Sequence, residues 1–237
     1  MQASIDIGNS SIKAGIFNNN KLLEAKEVEA KYLLKYLQQH AVDKVIISSV
    51  SENSSLISDL EKSYPNLLKL TAQTPVPLKI EYDTPATLGI DRVAAAIGAL
   101  SHFDGPLAIV DAGSCITCDL ISNKNVFIGG TISPGLQMRL EAMHTLTAKL
   151  PLLQLREPKQ LIGRSTNEAM ISGAVNGARQ EIVGVLRQYQ TRYPKLKVII
   201  CGGDAIYFDK IIEMNIFVLS NLVLEGLNTI MIFNDEL

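Results

Sequence analysis

The sequence is poor in features that mark several protein classes, and each shortage excludes something. Its apolar runs, such as Val45-Ile46-Ile47 and Val198-Ile199-Ile200-Cys201, fall far short of the about 20 residues of a spanning helix, so no membrane partner is expected. Basic residues are in no excess: 22 Lys and Arg stand against 24 Asp and Glu, for a formal net charge of −2. A general nucleic-acid binder shows basic clustering, so no nucleic-acid partner is expected either. Met1-Gln2-Ala3-Ser4-Ile5 has neither a basic n-region nor an apolar h-region, which gives the expectation of a mature N-terminus and a cytoplasmic location. The three cysteines should be reduced there. Cys115 and Cys118 form a C-x-x-C, but on a predicted strand, and with only Cys201 besides, a four-cysteine metal site is impossible. All three are expected to be small buried residues. His40, His102 and His144 show no ligand spacing. No G-x-x-x-x-G-K-[ST] occurs, which excludes a P-loop.

What is present is enough for a packed core. Of 237 residues 47% are hydrophobic and 19% charged, which suits one large domain or two small ones. Residues 4–7, 12–17 and 21–28 read as a three-stranded meander, because Gly8-Asn9-Ser10-Ser11 and Asn18-Asn19-Asn20 bracket short β-rich runs. An amphipathic helix over 30–39, a buried strand over 44–50, a helix over 53–63 and a short strand over 67–70 follow. The stretch 74–85, with Pro75, Pro77 and Pro85, reads as irregular. The spacing then predicts a helix over 87–100.

At Pro106 the pattern restarts. Strands are predicted over 107–111, 116–121 and 126–128, then a helix after Pro134 and another over 166–190. Ser165-Thr166-Asn167-Glu168 fits a capping box for that second helix. A strand over 197–201, the Gly202-Gly203-Asp204 turn with a short helix, a strand over 216–219 and a helix over 222–233 complete the chain. Asp6-Ile7-Gly8-Asn9 aligns with Asp111-Ala112-Gly113-Ser114, 105 positions on, and Lys44-Val45-Ile46-Ile47 resembles Lys197-Val198-Ile199-Ile200. These matches imply a duplicated α/β unit, with domains at 1–104 and 105–237.

The two Asp-x-Gly turns have the composition of phosphate grips. Glycine lets the backbone come close enough to aim N–H groups at an anion. Asn9, Ser10 and Ser114 add side-chain donors, and Lys13 on the returning strand adds a point charge. A carboxylate at the end of a buried strand is costly unless it meets a cation. Asp6 and Asp111 together would suit a hydrated Mg²⁺, which needs only one or two carboxylates.

With these turns, the chain resembles the actin- and hexokinase-like phosphotransferase superfamily, and within it the type III pantothenate kinases. The resemblance spans nearly the whole length. It rests on Asp6-Ile7-Gly8-Asn9-Ser10-Ser11-Ile12-Lys13, on Tyr82, Pro85 and Gly89-Ile90-Asp91-Arg92, and on Asp111-Ala112-Gly113-Ser114 with Thr117 and Asp119. Gly129-Gly130-Thr131-Ile132-Ser133-Pro134-Gly135, Gly202-Gly203 and Leu224-Glu225-Gly226-Leu227 continue it. It implies a duplicated RNase H-like (actin-like ATPase) fold, two α/β domains with a cleft between them. It implies ATP-dependent phosphorylation of pantothenate, the first step of coenzyme A synthesis, by a homodimer that uses Mg²⁺ and a monovalent cation, K⁺ or NH₄⁺. Carried over by motif, Asp91 would be the general base, and Arg92, Tyr82, Gly89, Ile90 and Thr166 would line the pantothenate pocket. Asp6, Ile7, Gly8, Asn9, Ser10, Ser11, Ile12 and Lys13 would hold ATP with Gly113 and Ser114, and Asp111 and Asp6 would face the metal. Two positions depart from the family: Ser114 replaces the usual Thr, keeping the hydroxyl, and Cys115 replaces the usual Ala.

Two alternatives have their own signatures. A sugar kinase of the same superfamily would need an insertion for a specificity subdomain, and none is evident. A non-catalytic regulatory homologue would have lost site residues, and the expected acids and glycines are all present. Gly173, Gly177 and Gly184 on one predicted helix fit a close approach, within the chain or across a dimer.

Overall fold

The structure is a computed structural model that describes residues 1–8, 11–49, 54–208 and 216–237. Asn9 and Ser10 of the first turn, Val50 and Asn53 at two expected element ends, and residues 209–215 lie outside them. The chain forms two compact units: residues 1–104, 125–128 and 221–237, and residues 105–124 and 129–220.

In the first unit the meander is β1 (Gln2–Ile7), β2 (Ile12–Asn18) and β3 (Lys21–Glu27). Helix α1 (Ala30–Gln39) leads into β4 (Lys44–Ser49), and α2 (Ser54–Ser63) into the two-residue β5 (Leu68–Lys69). The strand order is β3-β2-β1-β4-β5. Side chains alternate across a sheet, and the sequence obeys this. Ala3, Ile5, Ile7, Ala14, Ile16, Val45 and Ile47 point to one face and form a core with Leu33 and Leu37 of α1 and Leu56 and Leu60 of α2. The opposite face carries Ser4, Asp6, Lys13, Gly15, Ile46 and Ser48. Helix α6 (Leu222–Asp235) covers part of it, with Leu224 against Gly15.

Helix α3 (Ile90–Leu100) packs on α6 through a backbone-to-backbone approach. A Cβ on Gly98 would collide with the Leu222 carbonyl oxygen, and one on Gly226 with the Ala94 carbonyl oxygen. This contact groups the last helix with the first unit, which a division at 104/105 does not include. Two local expectations are corrected. Pro85 opens a short 3-10 turn, Pro85–Thr87, so α3 begins only at Ile90. The proline-rich stretch holds a strand, β6 (Lys79–Ile80), paired in parallel with Val126 and Phe127.

The second unit contains β7 (Leu107–Ala112), β8 (Cys115–Ile121), β9 (Val126–Pro134), α4 (Leu136–Thr145), α5 (Thr166–Arg192), β10 (Lys197–Cys201) and β11 (Ile216–Val218). Its strands run β11-β10-β7-β8-β9, and the first residues of β9 belong to the first unit. Read outward from the first strand of each unit, the plan is the same: an antiparallel neighbour on one side, β2 or β8, and a parallel neighbour on the other, β4 or β10, with a further strand beyond each. Val110, Ala112, Ile116, Cys118, Val198 and Ile200 pack on Val175, Ala178, Ile182 and Leu186 of α5. Ser165 caps α5 by accepting from the Glu168 amide at 3.3 Å. The Glu168 carboxylate does not complete the capping box; it pairs with Arg156 at 2.7 Å. Among the described residues, no helix is long and apolar enough to cross a membrane.

Candidate active site

The first turn closes where Ile7 pairs with Ile12 and the Gly8 amide donates to the Ser11 carbonyl at 3.0 Å. That N–H is therefore occupied within the hairpin. The side chain of Ile7 is in the core, so only its backbone is offered to a ligand. One residue earlier, Asp6 lies across from Lys13 on β2 and beside Ser48 on β4. Residues in register share a face, so lysine, aspartate and serine form a row across three strands. Ser48 is 0% exposed, and its hydroxyl has no partner among the described residues.

The second turn repeats this plan. The Gly113 amide donates to the Cys115 carbonyl at 3.0 Å, and Asp111 lies between Thr117 on β8 and Cys201 on β10. The Thr117 hydroxyl is buried and unpartnered among the described residues. Backbone closes on this turn from two sides. The Gly135 amide, at the start of α4, donates to the Ser114 carbonyl at 3.1 Å, and a Cβ there would collide with the Gly113 and Ser114 carbonyls. Gly202, at φ +91°, admits no side chain without strain, and a Cβ would lie 2.5 Å from an Asp111 carboxylate oxygen. Two residues on, Asp204 donates its amide to the Ala112 carbonyl at 2.9 Å. Its carboxyl is held above the usual carboxylate range by burial. The expected buried Cys115 is exposed, while Cys118 and Cys201 are buried. Burial first, and the Asp119 charge second, push the Cys118 thiol far up, so it is inert as a nucleophile.

In the first unit, Gly89 caps α3 and Asp91 lies in the first helical turn. A carboxylate is well placed there, because the helix dipole is positive at that end. One Asp91 oxygen accepts from the Arg92 amide at 2.8 Å, and a Cβ on Gly89 would meet the same oxygen at 2.5 Å. The absence of a side chain at Gly89 thus keeps the carboxylate approachable. Arg92 is only 7% exposed. Its guanidinium carbon lies 5.9 Å from the centre of the Tyr82 ring and 5.8 Å from that of Phe127, and the two rings meet edge to face at 6.3 Å.

Of the residues expected from the sequence, the structure brings together Asp6 with Lys13, and Tyr82 with Arg92 beside Gly89, Ile90 and Asp91. Ser11 and Ile12 flank the first turn, and Gly113 and Ser114 form the second. Thr166 is exposed at the start of α5, in the second unit. Sequence reading places Phe127 on a strand and Asp204 in a glycine turn that suits either an adenosine end or plain strand-to-helix punctuation, and it gives neither side chain a role of its own. Among the described residues no three His, Cys, Asp or Glu side chains gather into a metal cluster. A hydrated cation such as Mg²⁺ asks a protein for only one or two carboxylates, and each turn brings one, Asp6 in the first unit and Asp111 in the second. The hydroxyls of Ser48 and Thr117, buried and without a partner among the described residues, lie beside Asp6 and Asp111 respectively.

Solved structures of other proteins share this fold of two α/β units. A Campylobacter jejuni protein assigned to the Baf family of transcriptional activators superimposes with a TM-score of 0.67 at 23% identity, covering 99% of this chain and 100% of that one. A ROK hexokinase from Thermus thermophilus gives 0.51 at 11% identity, covering 96% and 97%. Both likenesses concern the fold. The family model for type III pantothenate kinase matches residues 4–188. The type III pantothenate kinase of Christiangramia forsetii is 40% identical over 241 residues, covering 99% of each chain. The chain belongs to the type III pantothenate kinase family.

Proposed function

We infer that this chain transfers the terminal phosphoryl group of ATP to pantothenate, giving 4′-phosphopantothenate. Family membership carries the reaction. The observation that carries the site is Asp91 in the first turn of α3, followed by an arginine held between two aromatic rings.

On this reading the fold is a duplicated RNase H-like one, and each unit contributes one Asp-x-Gly turn, at Asp6 and at Asp111, to the binding of ATP. Lys13 places its charge on the phosphates, and Ser11, Ser114, Asn9 and Ser10 supply donors. Asp6 and Asp111 hold Mg²⁺ through its water shell, and the ion neutralises phosphate charge when bound. A monovalent cation, K⁺ or NH₄⁺, completes the requirement. Arg92, with Tyr82, Gly89, Ile90 and Thr166, binds pantothenate. Asp91 orients the primary hydroxyl and accepts its proton late, because phosphoryl transfer asks chiefly for positioning and charge neutralisation.

The enzyme acts as a homodimer in the cytoplasm. Gly173, Gly177 and Gly184 on α5 have no atoms within 4 Å of where a Cβ would stand, so that face of the helix is open to a second copy. Exposed Leu161 and Ile162 adjoin it, since the Ser172 hydroxyl donates to the Leu161 carbonyl.

The test is ADP release with ATP, Mg²⁺ and K⁺ over a panel of pantothenate, glucose and N-acetylhexosamines. Turnover with pantothenate alone is expected. Turnover with a sugar alone would replace this reading with that of a sugar kinase, and none with any acceptor would favour a regulatory homologue.

A further inference from the structure

The first unit contains a cavity of about 590 Å³ that no step of the reaction uses. It lies where the C-terminal end of α3 meets α6 and the β2–β3 turn. That volume falls within the about 300–1,000 Å³ of small-molecule sites. Its polar lining combines neutral groups, Asn20, Ser101, Asn228 and Thr229, with two acids. Glu225 and Glu236 bring carboxylates, and no Lys or Arg lines it. Among the described residues its one basic side chain is His102, whose Nε2 lies 2.6 Å from Glu225 Oε2.

A second observation is independent of these acids. Asn228 lines the same cavity and is 2% exposed. Its Nδ2 donates to the Asn19 carbonyl at 2.9 Å, which fixes the amide's orientation. Its Oδ1 has no hydrogen-bond partner among the described residues. A buried amide oxygen left unmatched is costly, so its presence calls for a donor. Phe17 and Phe233 supply aromatic wall beside it. Acceptors, carboxylates and aromatic rings together select one chemistry: a cationic donor on an apolar body.

We propose that this cavity binds a small organic ammonium compound, with the charged head at Glu225 and Asn228 and the apolar body against Phe17 and Phe233. It is a ligand site separate from Asp91 and Arg92, at the other end of the same helix. Binding there does not depend on the kinase reading, and its test does not measure turnover.

The probe pair is 2-phenylethylammonium and its uncharged counterpart 2-phenylethanol, at matched ionic strength. Thermal melting and amide NMR shifts of the full chain are followed. Saturable stabilisation by the ammonium compound is expected, with shifts at His102 and 225–233, and an affinity at least about fivefold weaker for the alcohol. Glu225→Gln should abolish the preference for charge. Should that variant fold poorly, Glu236→Gln at the exposed rim should weaken it. Equal binding of the two probes, no saturable binding of either, or a charge preference unchanged in every folded variant would overturn the proposal.

Discussion

Lys13 lies directly across the β1–β2 ladder from Asp6, at the end of the strands where the first turn opens. The corresponding neighbour of Asp111 is Thr117. The two turns share a backbone plan and differ in charge: one offers a cation beside its aspartate, the other a hydroxyl. On the proposed reading the first turn handles phosphate and metal together, and the second chiefly metal.

Replacing Lys13 with methionine keeps much of the apolar stem and removes the charge. The expected loss is about 10²-fold or more in kcat/KM for ATP, with KM for pantothenate little changed. Steady-state kinetics with each substrate varied in turn checks this.

Phe127 is fully buried and faces the Arg92 guanidinium. Phe127→Leu should raise KM for pantothenate roughly tenfold and leave KM for ATP alone, as fits the loss of one desolvated cation–π face. Its stability cost should stay below the about 3–5 kcal/mol of a Phe→Ala truncation. Phe127→Tyr keeps the ring and should restore most of the affinity. Equal increases in both KM values would mean general damage to the fold.

Much of this was legible in the sequence, and the reasons are local. Helix α1 and strands β1, β2 and β4 follow from apolar periodicity and from turn residues at their ends. The Ser165 cap of α5 was readable because its partner is three residues away. What escaped reading was set at long range. The two residues of β6 have no pattern of their own and exist because Val126 and Phe127 pair with them. Phe127 meets Arg92 only through that pairing. Gly98 and Gly226 look like weak points of two helices, whereas in the fold they are where α3 and α6 touch backbone to backbone. The acidity of Asp204 depends on burial, which sequence does not display.

The α3–α6 contact makes its own prediction. Gly226→Ala places a methyl against the Ala94 carbonyl oxygen, and backbone cannot rotate away as a side chain does. Destabilisation of at least about 1–3 kcal/mol is expected. Urea unfolding checks this, with Gly173→Ala on the open face of α5 as a control that should not destabilise the monomer.

Burial raises the Asp204 carboxyl, so its folded pKa lies above the unfolded one. The folded state then keeps its proton longer, and this residue's contribution falls as pH rises through the carboxylate range. Asp204→Asn should therefore melt higher than the parent at pH 7, with the difference closing toward about pH 3. Melting curves across that range give the sign directly.

The most direct test of the whole account compares the parent chain with Asp91→Asn, which keeps the size of the side chain and removes its basicity. Formation of 4′-phosphopantothenate is followed by mass spectrometry with saturating ATP, Mg²⁺, K⁺ and pantothenate. The account predicts product from the parent and a rate about 10²–10⁴-fold lower from the variant, with binding of ATP retained. Full activity in Asp91→Asn, or no product from a folded parent, would contradict it.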